Sequence, residues 1–283
     1  MTIGCAARDI YPMSHEKMPE FVDQLNRIVQ LDHFPPKRIV SLVPSITELL
    51  FDLGLDHEIV GVTRFCIYPK DKSKVKPHVG GTKSIDIEKV IRLKPDLIIA
   101  NKEENSQKDV ELLSSACPVW VSDVPDFESA VELVVRVGEI TGTSVPADAL
   151  VRKINTSFSD LRQAPTLTAA YLIWQQPIMV AGGGTYINDM LSRAGFQNVF
   201  SESTRYPTVD VSAIKEMNPD VVLLSSEPYP FKESHLSSFT QIHGFKKVIL
   251  VDGTFFSWYG SRMQHAPNYF TSIRAANFGI AKS

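Results

Sequence analysis

The chain has 283 residues, of which 22% are charged and 43% apolar, with a net charge of −3. That balance fits a globular chain of about two domains and excludes a disordered one. Lys/Arg clusters are absent, which excludes a nucleic-acid binder, and no apolar run approaches the ~20 residues of a membrane span, so no membrane insertion is expected.

Residues 1–37 read as an N-terminal extension and arm. Met1 to Pro12 lacks the basic and apolar regions of a secretory signal. Thr2-Ile3-Gly4-Cys5 resembles a lipoprotein cleavage site, but only four residues precede the cysteine. Phe21 to Leu31 alternates weakly, as a hairpin arm does, before Pro35-Pro36.

A first α/β lobe is expected over 38–125. Arg38 to Val43 is a short apolar strand, and a helix follows from Pro44. Ser45 and Glu48 have capping-box spacing, Leu49, Leu50 and Leu53 supply its apolar stripe, and Gly54 ends it. Ile59 to Val62 is a second strand. Asp86 caps a helix carrying Ile87, Val90 and Ile91, and Leu97 to Ala100 is a third strand.

From Asp126 to about Ala164 no strand pattern appears. Phe127, Val131, Val134 and Val135 form one helical stripe, and Leu150, Ile154, Phe158 and Leu161 another, parted by Gly142 and Pro146. Residues 126–164 therefore read as a helical connector. A second lobe follows over 165–283, with strands at Ala169–Trp174, Ile178–Ala181, Val221–Leu224 and Val248–Val251 and a last helix near Pro267 to Phe278.

The lobes share a repeated unit. Residues 87–100 and 211–224 each hold a short amphipathic helix, a Pro-Asp corner (Pro95-Asp96, Pro219-Asp220) and an apolar run. Strand and helix alternating in this way build parallel sheets. The expected fold is α/β: two similar Rossmann-like lobes, each with a mainly parallel sheet, joined by a long backbone helix. Two lobes enclose a cleft.

No residue set argues for an enzyme. The seven histidines make no His-x-His or His-Glu-x-x-His pairing, so no metal ligands are assigned. Cys5, Cys66 and Cys117 are too scattered for a disulfide framework or a zinc knuckle, and Cys66 reads as buried. No nucleophile elbow is present, so no catalytic residue or catalytic cofactor is assigned. Gly182-Gly183-Gly184 lacks the phosphate-loop endings and reads as a tight turn, though its amides at a helix N-terminus suit an anionic ligand group.

What remains is a set of aromatic and polar residues in loops after strands, where ligands gather in open α/β sheets. These are Phe65, Tyr68, Asn101 with the turn that follows it to Asn105, Trp174, Tyr206, the segment Glu227 to Phe231, and Ser257 to Arg262. Several aromatics on one rim make a binding cleft.

In these residues the chain resembles the solute-binding proteins of ABC importers for cobalamin, iron-siderophores and haem. The marks run from Pro36-Lys37-Arg38-Ile39-Val40-Ser41-Leu42-Val43-Pro44-Ser45 with Thr47-Glu48, through Gly80-Gly81-Thr82-Lys83, to the two Pro-Asp corners. The Glu227–Phe231 and Ser257–Arg262 segments look most like the cobalamin-type branch.

The resemblance implies a monomer that holds a small-molecule metal chelate, a corrinoid or an iron chelate, between lobes and docks on an ABC permease. It implies ligand contacts from Phe65, Tyr68, Lys83, Asn101, Glu104, Trp174, Gly183, Tyr206, Glu227, Tyr229, Trp258, Tyr259 and Arg262. Pocket tryptophans of cobalamin binders fall on Thr82 and Asn101 here. Glu88 stands where the first lobe's docking acid is expected. The second-lobe position falls on Ser212, which passes that role to Asp210, with Glu216 as the alternative. The resemblance also implies a periplasmic or envelope-associated location; the absence of a recognisable signal keeps a cytosolic corrinoid or chelate binder, without a permease, as the other reading.

Overall fold

The computed structural model describes residues 19–159, 161, 167–242 and 244–279. The extension up to residue 18, with Cys5, lies outside them. An arm of two strands, β1 (Glu20–Val22) and β2 (Ile28–Gln30), pairs antiparallel. The first lobe then runs β3 (Ile39–Ser41), α1 (Pro44–Asp52), β4 (Ile59–Val62), α2 (Lys70–Ser73), β5 (Gly80–Gly81), β6 (Ser84–Ile85), α3 (Ile87–Arg92), β7 (Leu97–Asn101), α4 (Gln107–Ser114) and β8 (Val119–Ser122). Its main sheet is wholly parallel, in the order β4-β3-β7-β8.

Two helices follow, α5 (Phe127–Thr141) and α6 (Ser144–Ser159). The second lobe comprises β9 (Leu167–Gln175), β10 (Ile178–Val180), α7 (Tyr186–Arg193), β11 (Phe196–Asn198), α8 (Val211–Glu216), β12 (Val221–Ser225), α9 (Glu233–Ser237), β13 (Val248–Val251), α10 (Thr254–Ser257) and α11 (Ala266–Phe278). Its sheet has the order β10-β9-β12-β13, with β11 also on β9; only β10 is antiparallel. Among the described residues no helix is long and apolar enough to cross a membrane.

The Pro-Asp corner has the same backbone task in both copies. Asp96 accepts the Lys37 and Arg38 N–H groups at 2.7 and 2.8 Å, pinning the chain just before β3. Asp220 accepts the Thr168 N–H at 2.8 Å and so holds the start of β9. The residue ahead of each proline, Lys94 (φ 48°) and Asn218 (φ 43°), is left-handed and ends the helix, and proline's ring disfavours the right-handed helix at that position. Asp86 and Asp210 likewise cap α3 and α8, accepting the Lys89 and Ala213 N–H groups.

Each β7 and β12 strand is buried on both faces, as parallel strands are. Leu97 and Ile99 of β7, with Val221 and Leu223 of β12, face one apolar cluster that also takes in Leu49 of α1, Val134 of α5, Ile154 of α6 and Phe270 of α11. Ile98 and Ala100 face an outer cluster of the first lobe, and Val222 and Leu224 one of the second. The shared cluster spans both lobes, so the lobes meet through a continuous apolar contact that resists wide opening.

The connector is a helical pair. Asp126 and Ser129 form a reciprocal capping box at the start of α5, and Gly142 (φ 72°) ends it in the left-handed conformation that glycine adopts at no steric cost. The long α5 is fastened at both sides. Toward the arm, Arg136 donates to Val22 O at 2.8 Å and Gln24 to Ser129 O at 2.8 Å. Toward the second lobe, the Phe127 N–H donates to Asp189 at 2.9 Å and Arg193 lies 4.1 Å over the Phe127 ring.

One local expectation fails. Ser45 does not cap α1: the N-cap is Val43 with no side-chain bond, and Pro44 occupies the first turn. Proline needs no partner for a missing N–H and presets the helical φ, so the helix begins ahead of the serine. Glu48 is thereby released for a partner in the other lobe.

Candidate ligand-binding cleft

The carboxyl ends of β3, β7 and β8 face loops of the second lobe, and two polar clasps join the lobes there. The first is Glu48 of α1 with Arg262, bidentate at 2.9 and 2.6 Å. Both side chains are largely buried, at 16% and 13% exposure. Arg262 also donates to the Thr254 hydroxyl at 3.1 Å and lies 4.5 Å from the Tyr68 ring and 4.8 Å from the Trp258 ring. Tyr68 and Trp258 meet edge to face at 5.7 Å. The guanidinium is thus packed by aromatics of both lobes as well as ion-paired.

The second clasp is Glu103. Its carboxylate is paired with Arg205 and accepts the Tyr206 hydroxyl at 3.0 Å. Lys83 donates to the Glu103 carbonyl. Beneath it, Asn101 is buried and accepts the Glu103 and Glu104 N–H groups at 2.8 and 2.9 Å while donating to Ser122. Asn105 ties the same turn to Leu42 O and Thr82 O. This knot aims Glu103 and Glu104 at the second lobe.

Glu104 is exposed; loss of solvation pushes its carboxyl up, Lys83 pulls it down and Glu103 adds to the rise. Its carboxylate has no hydrogen-bond partner among the described residues. Opposite it, Glu227 is pushed up to about 7, first by burial, with Glu104 and Asp252 adding, and against the hydrogen bonds from Ser257 and Trp258. Trp258 Nε1 donates to it at 2.9 Å, and the Ser257 hydroxyl donates to its other oxygen. Tyr259 is 7% exposed; burial first, then the Glu104 charge, push its hydroxyl well up, and Ser45 and Ser122 beside it pull the other way. Phe65 is 50% exposed, with Arg64 stacked on it at 5.3 Å.

Of the residues expected at the site, the structure brings Tyr68, Trp258, Arg262 and Glu227 into one cluster, and Lys83, Glu104 and Tyr206 around the Glu103 clasp. Trp174 and Tyr229 form a ring pair of their own at 5.5 Å, joined by His235 and Phe231. Two expectations need correction. Asn101's amide is wholly engaged with its own loop and Ser122, so it positions the site from below. The Gly183 N–H donates to Ser203 O at 2.7 Å and Gly182's to Arg205 O, and Thr185 caps α7, so the Gly182 and Gly183 amides are not free for an anion. Arg262 is likewise held by Glu48 and is a clasp before it is a ligand contact. Sequence reasoning missed Glu48 and Arg205 as site-forming residues. Glu48 was masked by its capping-box spacing; Arg205 had no signal beyond its place beside Tyr206.

The geometry carries a pH prediction. The Glu227 carboxyl, about 7 here against an ordinary 4.5, holds its proton more tightly folded than unfolded. Its contribution to stability is therefore fully present below about 4.5 and lost as pH rises through 7. Thermal melts of the ligand-free protein should fall between pH 5 and 8, and Glu227→Gln should flatten that fall. An equally steep fall in the variant would refute the assignment.

Comparison with known proteins agrees with this architecture. The periplasmic binding protein family model matches residues 39–245. The ABC transporter substrate-binding lipoprotein YvrC of Bacillus subtilis (strain 168) is 32% identical over 200 residues, covering 66% of this chain and 63% of the relative, slightly under two thirds of its length. A vitamin B12-binding protein of Pectobacterium carotovorum subsp. carotovorum (strain PC1) is 24% identical over 236 residues, covering 81% of this chain and 84% of that one. Among solved structures, the periplasmic heme-binding protein RhuT from Roseiflexus sp. RS-1, in its apo form, superposes with a TM-score of 0.73 at 20% identity, covering 87% of this chain and 99% of that one. A family match over most of the chain, on a two-lobed α/β fold with a clasped cleft, leads to one conclusion: the chain belongs to the periplasmic binding protein family.

Proposed function

We propose that this chain is the solute-binding component of an ABC importer and captures a metal chelate, a corrinoid or a ferric siderophore, in the cleft between its lobes. In this reading residues 38–125 and 165–283 are the jaws and 126–164 the connector. The observation that carries it is the cleft wall. Phe65, Tyr68 and Trp258 offer aromatic faces, while Glu104, Glu227 and Tyr259 offer a few polar groups, the composition of a small-molecule site. The connector and the shared apolar core favour a small closing motion over a wide hinge.

Glu88 supports a docking role for the first lobe: it stands on α3 with its side chain 87% exposed and only a 3.5 Å pairing with Arg92. The second lobe differs. Asp210 is exposed, but its carboxylate accepts the Ala213 N–H and the Ser212 hydroxyl, each at 2.8 Å, and these hold its carboxyl below the usual range. That asymmetry favours a permease contact led by Glu88. It is also the observation behind the second reading, a chelate binder that meets no permease.

Glu88→Lys should leave chelate affinity unchanged and cut uptake in cells at least about tenfold, since a reversed charge sets like charges together at the dock. Uptake equal to the parent would remove Glu88 from it. For the function itself, the visible absorption spectrum of protein purified from its own cells should show a corrinoid or iron-chelate band. Protein that is colourless and recovered from the cytosol would count against an importer component.

A further inference from the structure

The two interlobe clasps differ in solvent access. Arg262 and Glu48 are 13% and 16% exposed, whereas Arg205 and Glu103 are 43% and 28% exposed. Salt screens the outer pair and largely spares the inner one. Both halves of the outer clasp are nonetheless held by backbone. On the first lobe, Asn101 fixes the Glu103 and Glu104 N–H groups and Lys83 holds the Glu103 carbonyl. On the second, the chain at 203–205 is strapped to the glycine turn. The Gly183 N–H donates to Ser203 O at 2.7 Å and the Gly182 N–H to Arg205 O at 2.6 Å, while the Arg205 N–H returns to Gly183 O at 3.0 Å. So close an approach needs glycine: a Cβ at 182 would lie 2.2 Å from Ser203 O, and one at 183 would lie 2.0 Å from Ser201 O. Within the strap Arg205 sits at φ 60°, a left-handed backbone that residues with a Cβ seldom take. From there its guanidinium crosses to one Glu103 oxygen, and the Tyr206 hydroxyl donates to the other at 3.0 Å.

We propose that the contact of Glu103 with Arg205 and Tyr206 is a latch on the empty cleft, which breaks to admit a ligand while the Glu48–Arg262 clasp and the shared apolar core stay closed. The proposal rests on the cleft-binding reading above and adds how the cleft is entered. A latched cleft admits a ligand only for the fraction of time the latch is open, so the latch slows entry by that fraction. The outer contact suits the part. Solvent reaches it, so it can part and reclose at small cost, and its two halves return to register because each is fixed by its own loop. The inner clasp does not suit it, since its guanidinium is desolvated and packed by Tyr68 and Trp258.

The test is acrylamide quenching of tryptophan fluorescence in the ligand-free protein, acrylamide being a small neutral probe that must enter the cleft to reach Trp258. A Trp174→Phe background removes the exposed indole, and Trp120 is fully buried, so Trp258, 7% exposed, carries the change. Arg205→Asn keeps a residue that tolerates the left-handed backbone, and Glu103→Gln keeps the shape and an acceptor for Tyr206. Each should raise the quenching constant about three- to fivefold, the upper range for a half-exposed pair. The double variant should exceed neither, because both changes remove one contact from opposite lobes. Raising NaCl from about 0.05 to about 0.5 M should increase quenching in the parent and leave both variants unchanged. A variant loosened elsewhere would add to the other and keep the parent's salt response. Quenching like the parent's in either variant, additive effects, or a salt response that persists in the variants overturns the latch. The readout uses no chelate, so failure of every chelate to bind would sink the chelate reading and leave the quenching result standing.

Discussion

Replacing Glu48 by alanine is expected to destabilise the ligand-free protein by about 3 kcal/mol in urea unfolding at pH 7. The variant strands a guanidinium that is only 13% exposed, packed between Tyr68 and Trp258, with the Thr254 hydroxyl as its remaining acceptor among the described residues. Removing one partner of a buried pair costs more than the pair contributes, because the other charge stays desolvated. The double variant Glu48→Leu with Arg262→Met should accordingly recover most of the loss. A drop for Glu48→Ala of under about 1 kcal/mol, the range of a solvent-screened pair, would mean that the clasp is a surface contact and that the lobes are held by the apolar core alone.

Trp258→Ala should have the second large effect, on stability and binding together. The indole is 7% exposed, meets Tyr68 across the lobe boundary, faces Arg262 and donates to Glu227. Truncating a buried tryptophan costs about 3–5 kcal/mol, and the loss of its N–H takes one donor from Glu227. Chelate affinity should fall at least about tenfold as the aromatic wall is lost. Phe65→Ala supplies the contrast. Its ring is half exposed at the cleft mouth, so stability should stay within about 0.5 kcal/mol of the parent while affinity falls. If Trp258→Ala lowers stability and leaves affinity intact, the indole is a lobe–lobe spacer and the ligand sits elsewhere.

The architecture was legible where a residue's task is local. The Pro-Asp corners could be read because the proline ends a helix and the apolar run starts a strand within a few residues; the bonds that Asp96 and Asp220 make, 58 and 52 positions away, could not. Asp86 could be read as a cap because a cap is settled within three residues. The two-sided burial of β7 and β12 was written in unbroken apolar runs.

The site was less legible because its decisive pairs depend on how the lobes are set against each other. Glu48 and Arg262 are 214 positions apart, and Glu103 and Arg205 are 102 apart. No periodicity encodes such a meeting. Glu48 carried a misleading local signal, and the structure replaces it with a tertiary partner. Gly183 shows the same limit in reverse. A glycine run before a helix looks free to meet a ligand, but the Gly182 and Gly183 amides pair with the chain at 203–205, which a local pattern does not reveal.

Chelate binding in this cleft is checked by calorimetric titration of the ligand-free protein with cobalamin, cobinamide, haem and ferric siderophores in turn. Saturable one-to-one binding of at least one of them, lost or weakened in Trp258→Ala and Phe65→Ala, is the predicted result. Heat signals no larger than dilution for every chelate, with a protein that melts cooperatively, would contradict it.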